Sequence, residues 1–598
     1  MSYWDSLRVM GELERQFDVN SLRFDGVCVW PIIRNALAAS LENENNKTFR
    51  EPRNGKFNLW NLLPDPAQLE LFKQHAGIEY LFYSRAEEYR TRIQGRYYGF
   101  VDPYLEIVKD SHRVLKIELN SGLVQTTLPR YYPTVFLKPM TIRIPCPVGT
   151  NDIEHFQDLR QKVLSLCPID LDEGVILEMI HNTEQFRLLF LDVLQRIRPR
   201  VVVMMCYYTN PPAMGLIRAC RDLGITTVEL KHGIPNASFY EYWAHIPEDG
   251  YEYLPDWFYV WSDEFRRAIE TIQPSGCRHH RALVGPNEWI RKVLQDPIPM
   301  IDGVDPAFLT DLERRTKVIL ITLDYPTDGI PSHVLEAMRS APKEWIWLLR
   351  CHPRYKHDKG GFIDILSRSG ISNYEIDKTT SHPLFMLLQR SHCHLTSCSS
   401  ICLEAMLFGV PSLVYSPAGF EYFRDYIDQG YLAYEANSAE SLLRWLQSRH
   451  DSTMIRKQGE RFFSMDKALG RKAFETLLRH AEGRQPRKVN PRYRAANLNQ
   501  MGRYHVCHGD LPAAIETFTA AVQCEPGDTE AYNNLGGLCW HLGDRHRARR
   551  FIETAMEIDP SDLRTRRNWD QLNRVLNEAY PAQPMDVVMG GRSNGRQL

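Results

Sequence analysis

The sequence predicts an α/β protein: two Rossmann-like domains facing a cleft, followed by an α-helical segment. Three observations predict it. From Lys317 to Tyr415, short apolar strands alternate with helical stretches of about ten to fifteen residues, the signature of a parallel sheet with crossover helices. The same alternation runs through an earlier stretch centred on Val201 to Val284. Near residues 495–560 the chain repeats itself at a spacing of 34.

Composition agrees. Of 598 residues, 43% are hydrophobic and 24% charged, which excludes wholesale disorder and a membrane bundle. Lys+Arg 72 against Asp+Glu 74 leaves a formal charge of -2, so no global field recruits nucleic acid or anionic lipid. Thirteen cysteines in so long a chain are too dilute for a disulfide scaffold and fit a reducing compartment. The start, Met1-Ser2-Tyr3-Trp4-Asp5, has no basic stretch leading into an apolar one, and apolar runs such as Val201 to Cys206 are strand-length. A cytoplasmic protein is expected, with peripheral contact at an inner membrane left open.

The expected division is a lead-in over 1–74, a first α/β domain over 75–312, and a second over 313–482. A basic linker at 483–494, helical repeats at 495–580 and a tail at 581–598 follow. In the first domain the strands are Tyr80 to Ser84, Leu115 to Leu119, Val201 to Cys206, Thr226 to Leu230, Trp257 to Trp261 and Ala282 to Val284, with a helix from Pro212 to Leu223 stopped by Gly224. In the second they are Val318 to Leu323, Trp345 to Arg350, Tyr374 to Ile376, His394 to Thr396 and Ser412 to Tyr415. The linker, with Pro486, Pro491 and the basic residues Arg484, Arg487, Lys488, Arg492 and Arg494, reads as a solvated hinge, with a contact to membrane phosphate or an anionic substrate as the alternative.

In the repeat, Gly502 pairs with Gly536, Gly509 with Gly543, Asp510 with Asp544, Ala514 with Ala548, Phe518 with Ile552, Ala521 with Ala555 and Pro526 with Pro560. Small residues where two helices cross, an aromatic or aliphatic knob, and Pro where the second helix stops match the tetratricopeptide pattern. Two repeats rarely stand alone, so docking on the preceding domain or on another subunit is expected.

Four motifs fall at strand ends, where ligands bind in open parallel sheets. Lys231-His232-Gly233 follows the Thr226 strand. Its imidazole is placed for general-base work, although a lone His is often structural. Arg350-Cys351-His352-Pro353-Arg354 ends the Trp345 strand and offers donors to phosphate, or merely solvated basic groups. Thr396-Ser397-Cys398-Ser399-Ser400 opens a helix carrying Glu404, followed by Gly409-Val410-Pro411. Free amides and hydroxyls there form a phosphate cradle or an ordinary cap, and Glu404 can accept ribose hydroxyls. Asp324 to Gly329 forms a weaker loop signal. His392, Cys393, His394, Cys398 and Cys402 cluster in sequence, but strand alternation separates them and buried thiols are expected, not zinc.

The ordered set of a His-Gly turn, a His-Pro turn, and a paired-Ser turn with Gly-x-Pro resembles GT-B glycosyltransferases of bacterial surface polysaccharides. The polysialyltransferase-like and Kdo-transferase-like groups and the teichoic-acid glycerophosphotransferases are the nearest in motif. The resemblance covers roughly residues 75–480. It implies donor contacts from His352, Pro353, Arg354, Ser397, Ser399 and Ser400, a ribose contact from Glu404, and His232 as base. Polysialyltransferase-like enzymes take their base from an acidic pair before Gly. Asp172-Glu173-Gly174 matches those letters, but the same residues also read as the acidic first turn of a helix. Asp170-Leu171-Asp172 spells a metal motif of another enzyme class, outside its usual strand-end setting, and no metal is required.

What the resemblance implies is transfer of a sugar from a CMP-linked donor, of the ulosonate type (sialic, pseudaminic or Kdo), to a bacterial surface glycan or a protein held by the repeats. Inversion without metal and without a cofactor beyond the nucleotide-sugar donor is expected. A CDP-alditol glycerophosphotransferase is the alternative enzyme, and a non-catalytic repeat scaffold the alternative without chemistry.

Overall fold

A computed structural model describes residues 3–24, 26–42, 60–63, 66–85, 91–92, 96–119, 130–138, 140–143, 153–208, 211–233, 246–272, 279–296, 301, 303–323, 329–352, 359–484, 495, 498–499, 501–503, 505–506 and 509–577. Two parallel sheets dominate. The first has seven strands: β1 (Tyr80–Arg85), β2 (Val114–Leu119), β3 (Thr134–Leu137), β4 (Val201–Met204), β5 (Thr226–Leu230), β6 (Trp257–Val260) and β7 (Arg281–Val284). Their spatial order is β7-β6-β5-β4-β1-β2-β3, every pairing parallel. The second has six: β8 (Lys317–Leu323), β9 (Trp345–Cys351), β10 (Tyr374–Glu375), β11 (Cys393–Thr396), β12 (Ser412–Val414) and β13 (Ala433–Tyr434), in the order β10-β9-β8-β11-β12-β13. Both are doubly wound. The strand order reverses between β1 and β4 in one lobe and between β8 and β11 in the other, the points at whose carboxyl edge open sheets of this kind bind ligands.

The sequence explains why these segments are strands. Val201–Met204 and Lys317–Leu323 are β-branched or aliphatic runs buried on both faces, as sheets covered by helices on each side require. Two strands, β3 and β13, were not anticipated. One is a four-residue strand at the edge of its sheet and the other two residues long, too little pattern to read.

Helices cover the sheets and join the lobes. Helix α1 (Tyr3–Gln16) and α2 (Trp30–Glu42) send Met10, Leu13, Trp30, Ile33 and Leu37 into the core of the first lobe. Inside it, Arg34 Nε donates to Glu14 at 2.8 Å with both side chains all but excluded from water. Helix α3 (Glu173–Ile197) and α4 (Pro211–Asp222) flank β4, locked by Arg187 Nε on Asp222 at 2.6 Å. Helix α5 (Pro306–Arg314) puts Phe308, Leu309 and Leu312 under the second sheet.

The lobes share two apolar seams. Trp261, just past β6, stacks on Phe463 at 5.3 Å, and Phe265 stacks on Phe462 at 6.3 Å. On the other seam Trp289 meets Phe385 edge-on at 5.8 Å. Helix α6 (Ile401–Leu407) and α7 (Pro417–Asp428) belong to the second lobe, yet Leu403, Met406, Leu407 and Phe423 are continuous with the first lobe's core. Helix α8 (Lys467–Glu482) then returns to the first lobe. Tyr80 Oη donates to the Phe474 carbonyl at 2.8 Å, and Phe474 packs on the Tyr80, Phe82 and Tyr259 rings. At its end Arg484, read from sequence as part of a solvated hinge, instead pairs with the buried Asp256, Nη2 to Oδ1 at 2.8 Å. The other hinge residues, 485–494, lie outside the described residues.

The C-terminal segment is an array of antiparallel helices: α9 (Leu511–Cys524), α10 (Thr529–His541), α11 (Arg545–Ile558) and α12 (Leu563–Asn577). The 34-residue spacing carries into geometry. Gly509 and Gly543 take φ of 75° and 81° at equivalent turns, and Asp510 and Asp544 cap the helices that follow. A Cβ on Gly502 would overlap the Phe518 ring, and one on Gly536 would sit 2.5 Å from Ile552. Buried asparagines stitch the helices, with Asn534 Nδ2 on Asn499 Oδ1 at 3.3 Å and Asn568 Nδ2 on Asn533 Oδ1 at 3.1 Å. Met501 packs against the core of the α/β body. Among the described residues no helix is long and apolar enough to cross a membrane.

Candidate functional site

The two strand-order reversals carry the site. In the first lobe β4 ends at Met204, and the chain turns through Cys206, a non-glycine residue at φ 57°. Tyr208 follows. On the neighbouring strand β5, His232 comes two residues after the last ladder position. The turns meet: Tyr208 Oη lies 2.8 Å from His232 Nε2 with the rings stacked at 5.8 Å, and Cys206 Sγ lies 3.3 Å from the same nitrogen. With the phenol donating, Nε2 is the acceptor and the imidazole proton sits on Nδ1. That nitrogen points back towards the strand, where Glu229 Oε1 is 3.9 Å away. Glu229 has no exposed surface, and burial raises its carboxyl to about 7 against the pull of the Lys231 ammonium. Lys231 is buried too, and desolvation lowers its affinity for a proton.

The second-lobe corner sits between β8 and β11. A chain of buried polar groups crosses three strands beneath it. Thr322 Oγ1 bonds His394 Nε2 at 2.9 Å and Thr396 Oγ1 at 3.0 Å, while His394 Nδ1 meets Ser412 Oγ at 3.0 Å. Thr396 Oγ1 then accepts the backbone N–H of Ser399 at 3.0 Å. Burial holds His394 neutral, its titration pushed down to about 3. This fixes the turn from below.

Above it, Ser397 Oγ donates to Ser416 Oγ at 2.9 Å, and Ser399 Oγ accepts the Ile401 amide at 3.4 Å. Ser400 stands at the N-cap of α6 without a side-chain cap bond, so the fold does not use its hydroxyl as a cap. Glu404, one turn into α6, keeps partial exposure, yet burial raises its carboxyl to about 7. His352 is the first residue past β9. Its amide extends the ladder to the Leu323 carbonyl at 3.1 Å and its side chain is exposed. Since β8 alone separates β9 from β11, His352 and the serine turn share one sheet edge roughly 10 Å apart. Pro353, Arg354 and the Asp324 to Asp328 part of the remaining motif lie outside the described residues.

Asp172 and Glu173 are placed differently. Asp172 caps α3, accepting the Val175 amide at 3.0 Å, while Glu173 accepts from the Ile153 amide at 3.3 Å and Gln157 Nε2 at 3.0 Å. Asp170 pairs with Arg160 at 2.5 Å. Asp172 thus serves the helix start, the other role its letters allowed, while Glu173 and Asp170 tie the helix start to the preceding helix and its lead-in. Among the described residues no group of three His, Cys, Asp or Glu side chains could hold a metal ion. Cys393 and Cys402 are buried thiols.

The tertiary structure adds partners that motif reading missed: Cys206, Tyr208 and Glu229 around His232, and Thr322, His394 and Ser412 beneath the serine turn. A signal existed. Glu229 is a charged residue in a five-residue strand that is otherwise Thr, Val and Leu and wholly buried, and such a residue needs a reason.

No protein-family model matches the chain, and no curated protein does. Among solved structures it is similar to the UDP-GlcNAc 2-epimerase of Neisseria meningitidis bound to UDP-GlcNAc. That match has 14% identity and a TM-score of 0.41, covering 67% of this chain and 100% of the other. It is similar also to the UDP-GlcNAc 2-epimerase of Methanocaldococcus jannaschii in complex with UDP-GlcNAc and UDP, at 12% identity and TM-score 0.40, covering 67% and 99%. A third is the wall teichoic acid polymerase TagF with CDPG, at 10% identity and TM-score 0.38, covering 69% and 93%. These similarities are low, and the fold stands on the sheet topology itself. It defines a two-lobed α/β protein whose lobes each have a doubly wound strand order, with a helical array attached.

Proposed function

We propose that the chain is a GT-B-type glycosyltransferase that moves a sugar from a nucleotide donor, CMP-linked and of the ulosonate type, to a surface glycan or protein acceptor. One observation carries this reading. The paired-serine turn and the His232 cluster each stand at the carboxyl edge of a doubly wound sheet, at or one strand from the strand-order reversal, where such sheets bind nucleotides.

The chemistry follows from which lobe offers what. His232 Nε2 takes the proton of the acceptor hydroxyl. The oxygen forms its bond to the anomeric carbon as the bond from that carbon to the donor phosphate breaks. The nucleotide leaves with the electron pair towards Ser397, Ser399 and Ser400, whose hydroxyls and amides, with His352, take up its charge. Glu404 holds the ribose. A base on one lobe and a leaving group on the other favour a single displacement with inversion. The helical array, read as tetratricopeptide-like, holds the acceptor.

A CDP-alditol glycerophosphotransferase is the second reading, favoured by the His-Gly turn at the end of β5 together with His352. The two separate in a thermal-shift screen of CMP, CDP, UDP, GDP, CMP-N-acetylneuraminic acid and CDP-glycerol. A ligand at one hundred times its Kd raises stability by about 2.7 kcal/mol. Stabilisation by the CMP series supports the first reading, and stabilisation by CDP-glycerol with release of CMP from it replaces it with the second. No shift with any nucleotide and no donor hydrolysis would leave a repeat scaffold.

A further inference from the structure

We propose that Glu229 is a positioning residue for His232: its buried carboxylate holds the imidazole with the proton on Nδ1, which leaves Nε2 as the proton acceptor at the mouth of the first-lobe crevice. The role in turnover rests on His232 being the base. The pairing itself does not.

Glu229 is unusual among the buried acids of the described residues. Glu14 is bonded by Arg34 and Trp30, Asp102 by Lys116 and the Tyr98 amide, and Glu118 by Arg130. Asp256 is held by Arg484 and Thr227, and Asp222 by Arg187. Glu229 alone has no side-chain donor in a hydrogen bond of normal geometry, and only the backbone amides of Cys206 and Tyr207 turn towards it. A carboxylate in the interior of a parallel sheet is retained only if something nearby repays its desolvation. Two cations can do so. Lys231 lies two residues on, and alternation puts it on the same side of β5. His232 lies 3.9 Å off, through Nδ1.

The other side of His232 is compatible with this tautomer. Tyr208 Oη, 2.8 Å from Nε2, donates to that nitrogen in the tautomer with the proton on Nδ1 and would accept from it in the other, so this contact is compatible with the proposed tautomer and the choice falls to the carboxylate on the Nδ1 side. Cys206 Sγ lies 3.3 Å from Nε2 and 3.7 Å from Nδ1, against the ring and without preference for either tautomer. Tyr208 and Cys206 from the turn after β4 and Glu229 from its own strand face the imidazole, and Lys231 faces Glu229. A 3.9 Å gap is longer than a hydrogen bond, but catalytic pairs often stand loose before substrate arrives and tighten in the complex. Burial raises the Glu229 carboxyl to about 7 against the pull of the Lys231 ammonium.

The experiment uses the full chain with its histidines labelled at carbon ε1, the His232 signal being assigned by its loss in His232→Asn. Its titration is followed in wild type, Glu229→Gln and Glu229→Asp, alongside release of CMP from CMP-N-acetylneuraminic acid. Removing the anion destabilises the imidazolium. The His232 inflection is expected to move down by about one pH unit or more in Glu229→Gln. Glu229→Asp is expected to keep most of the wild-type value, and should Glu229→Gln not fold, the longer Asp-to-imidazole gap gives a smaller shift in the same direction. Turnover is expected to fall in kcat with donor KM unchanged. An inflection that stays in place in both folded variants overturns the proposal and assigns the carboxylate to Lys231 alone. If the inflection moves while kcat holds, the pairing stands but the positioning role in turnover is overturned, and His232 is not the base. If wild type releases no CMP, the donor reading fails and the titration still decides the pairing.

Discussion

The backbone of Gly419 is pressed directly onto the Ser397 carbonyl oxygen, with no room for a Cβ between them. The same contact is tied by hydrogen bonds, since the Gly419 amide donates to Ser416 Oγ at 3.0 Å and Ser416 Oγ reaches the Ser397 carbonyl at 3.2 Å. The start of α7 is thus the wall against which the serine turn is held.

That contact makes Gly419→Ala a sharp probe. The obstruction is backbone, so either the turn or the helix must shift, at a cost of about 1–3 kcal/mol. The unfolding midpoint in urea is expected to fall, and nucleotide-induced stabilisation to shrink further, because the displaced atom is part of the serine turn proposed to take up the donor. A variant with normal nucleotide response would mean that Ser397 is not at the donor site.

His232→Ala is expected to keep its far-UV circular dichroism and lose roughly 10²–10⁴-fold in kcat, the range for a missing general base. Tyr208→Phe removes only the hydroxyl on Nε2. Its expected effect is about 1 kcal/mol, or roughly fivefold. Steady-state donor turnover checks both.

The Glu404 carboxyl is raised to about 7 by burial, from 4.5 in a free chain. Between those values the folded protein holds a proton that the unfolded chain has released. Native stability from this group therefore falls as pH rises through that window. Glu404→Gln is expected to be little different from wild type in melting temperature near pH 4.5 and more stable at pH 8, while binding nucleotide less well. Equal melting temperatures at pH 8 would show that the carboxyl is not strained by its site.

In the helical array, Gly536 lies where α10 crosses α11 so closely that a Cβ meets Ile552 at 2.5 Å. Gly536→Val is expected to loosen this pair by about 1–3 kcal/mol. Hydrogen exchange would detect it as lost protection over 529–558, with the α/β body unaffected. Uniform loss over the whole chain would mean that the array and the body unfold as one unit.

Much of this was legible in the sequence. The strands of both sheets, apart from β3 and β13, announce themselves as short β-branched or aliphatic runs between helices. The repeat is visible because small residues recur wherever helices must cross closely. His232, Ser399 and Ser400 are found by their place at strand ends. The acidic letters of Asp172 and Glu173 fit two roles, a base or the first turn of a helix, and the helix reading is the stronger one from sequence. Their use as cap and tie becomes visible only with the amides of Val175 and Ile153 in place.

Sequence alone determined which segments are strand or helix, because periodicity and turn chemistry are local. It also placed the motif residues at the ends of their strands, since a parallel strand can only hand its chain to a loop at that edge. Tertiary structure decided the rest: the order of strands, and hence where each sheet reverses, and which side chains from β4 and β5 meet around one imidazole. It also decided that α8 leaves the second lobe to pack on the first. Those facts depend on contacts between residues far apart in the chain, whose strength comes from shared burial and not from any local preference.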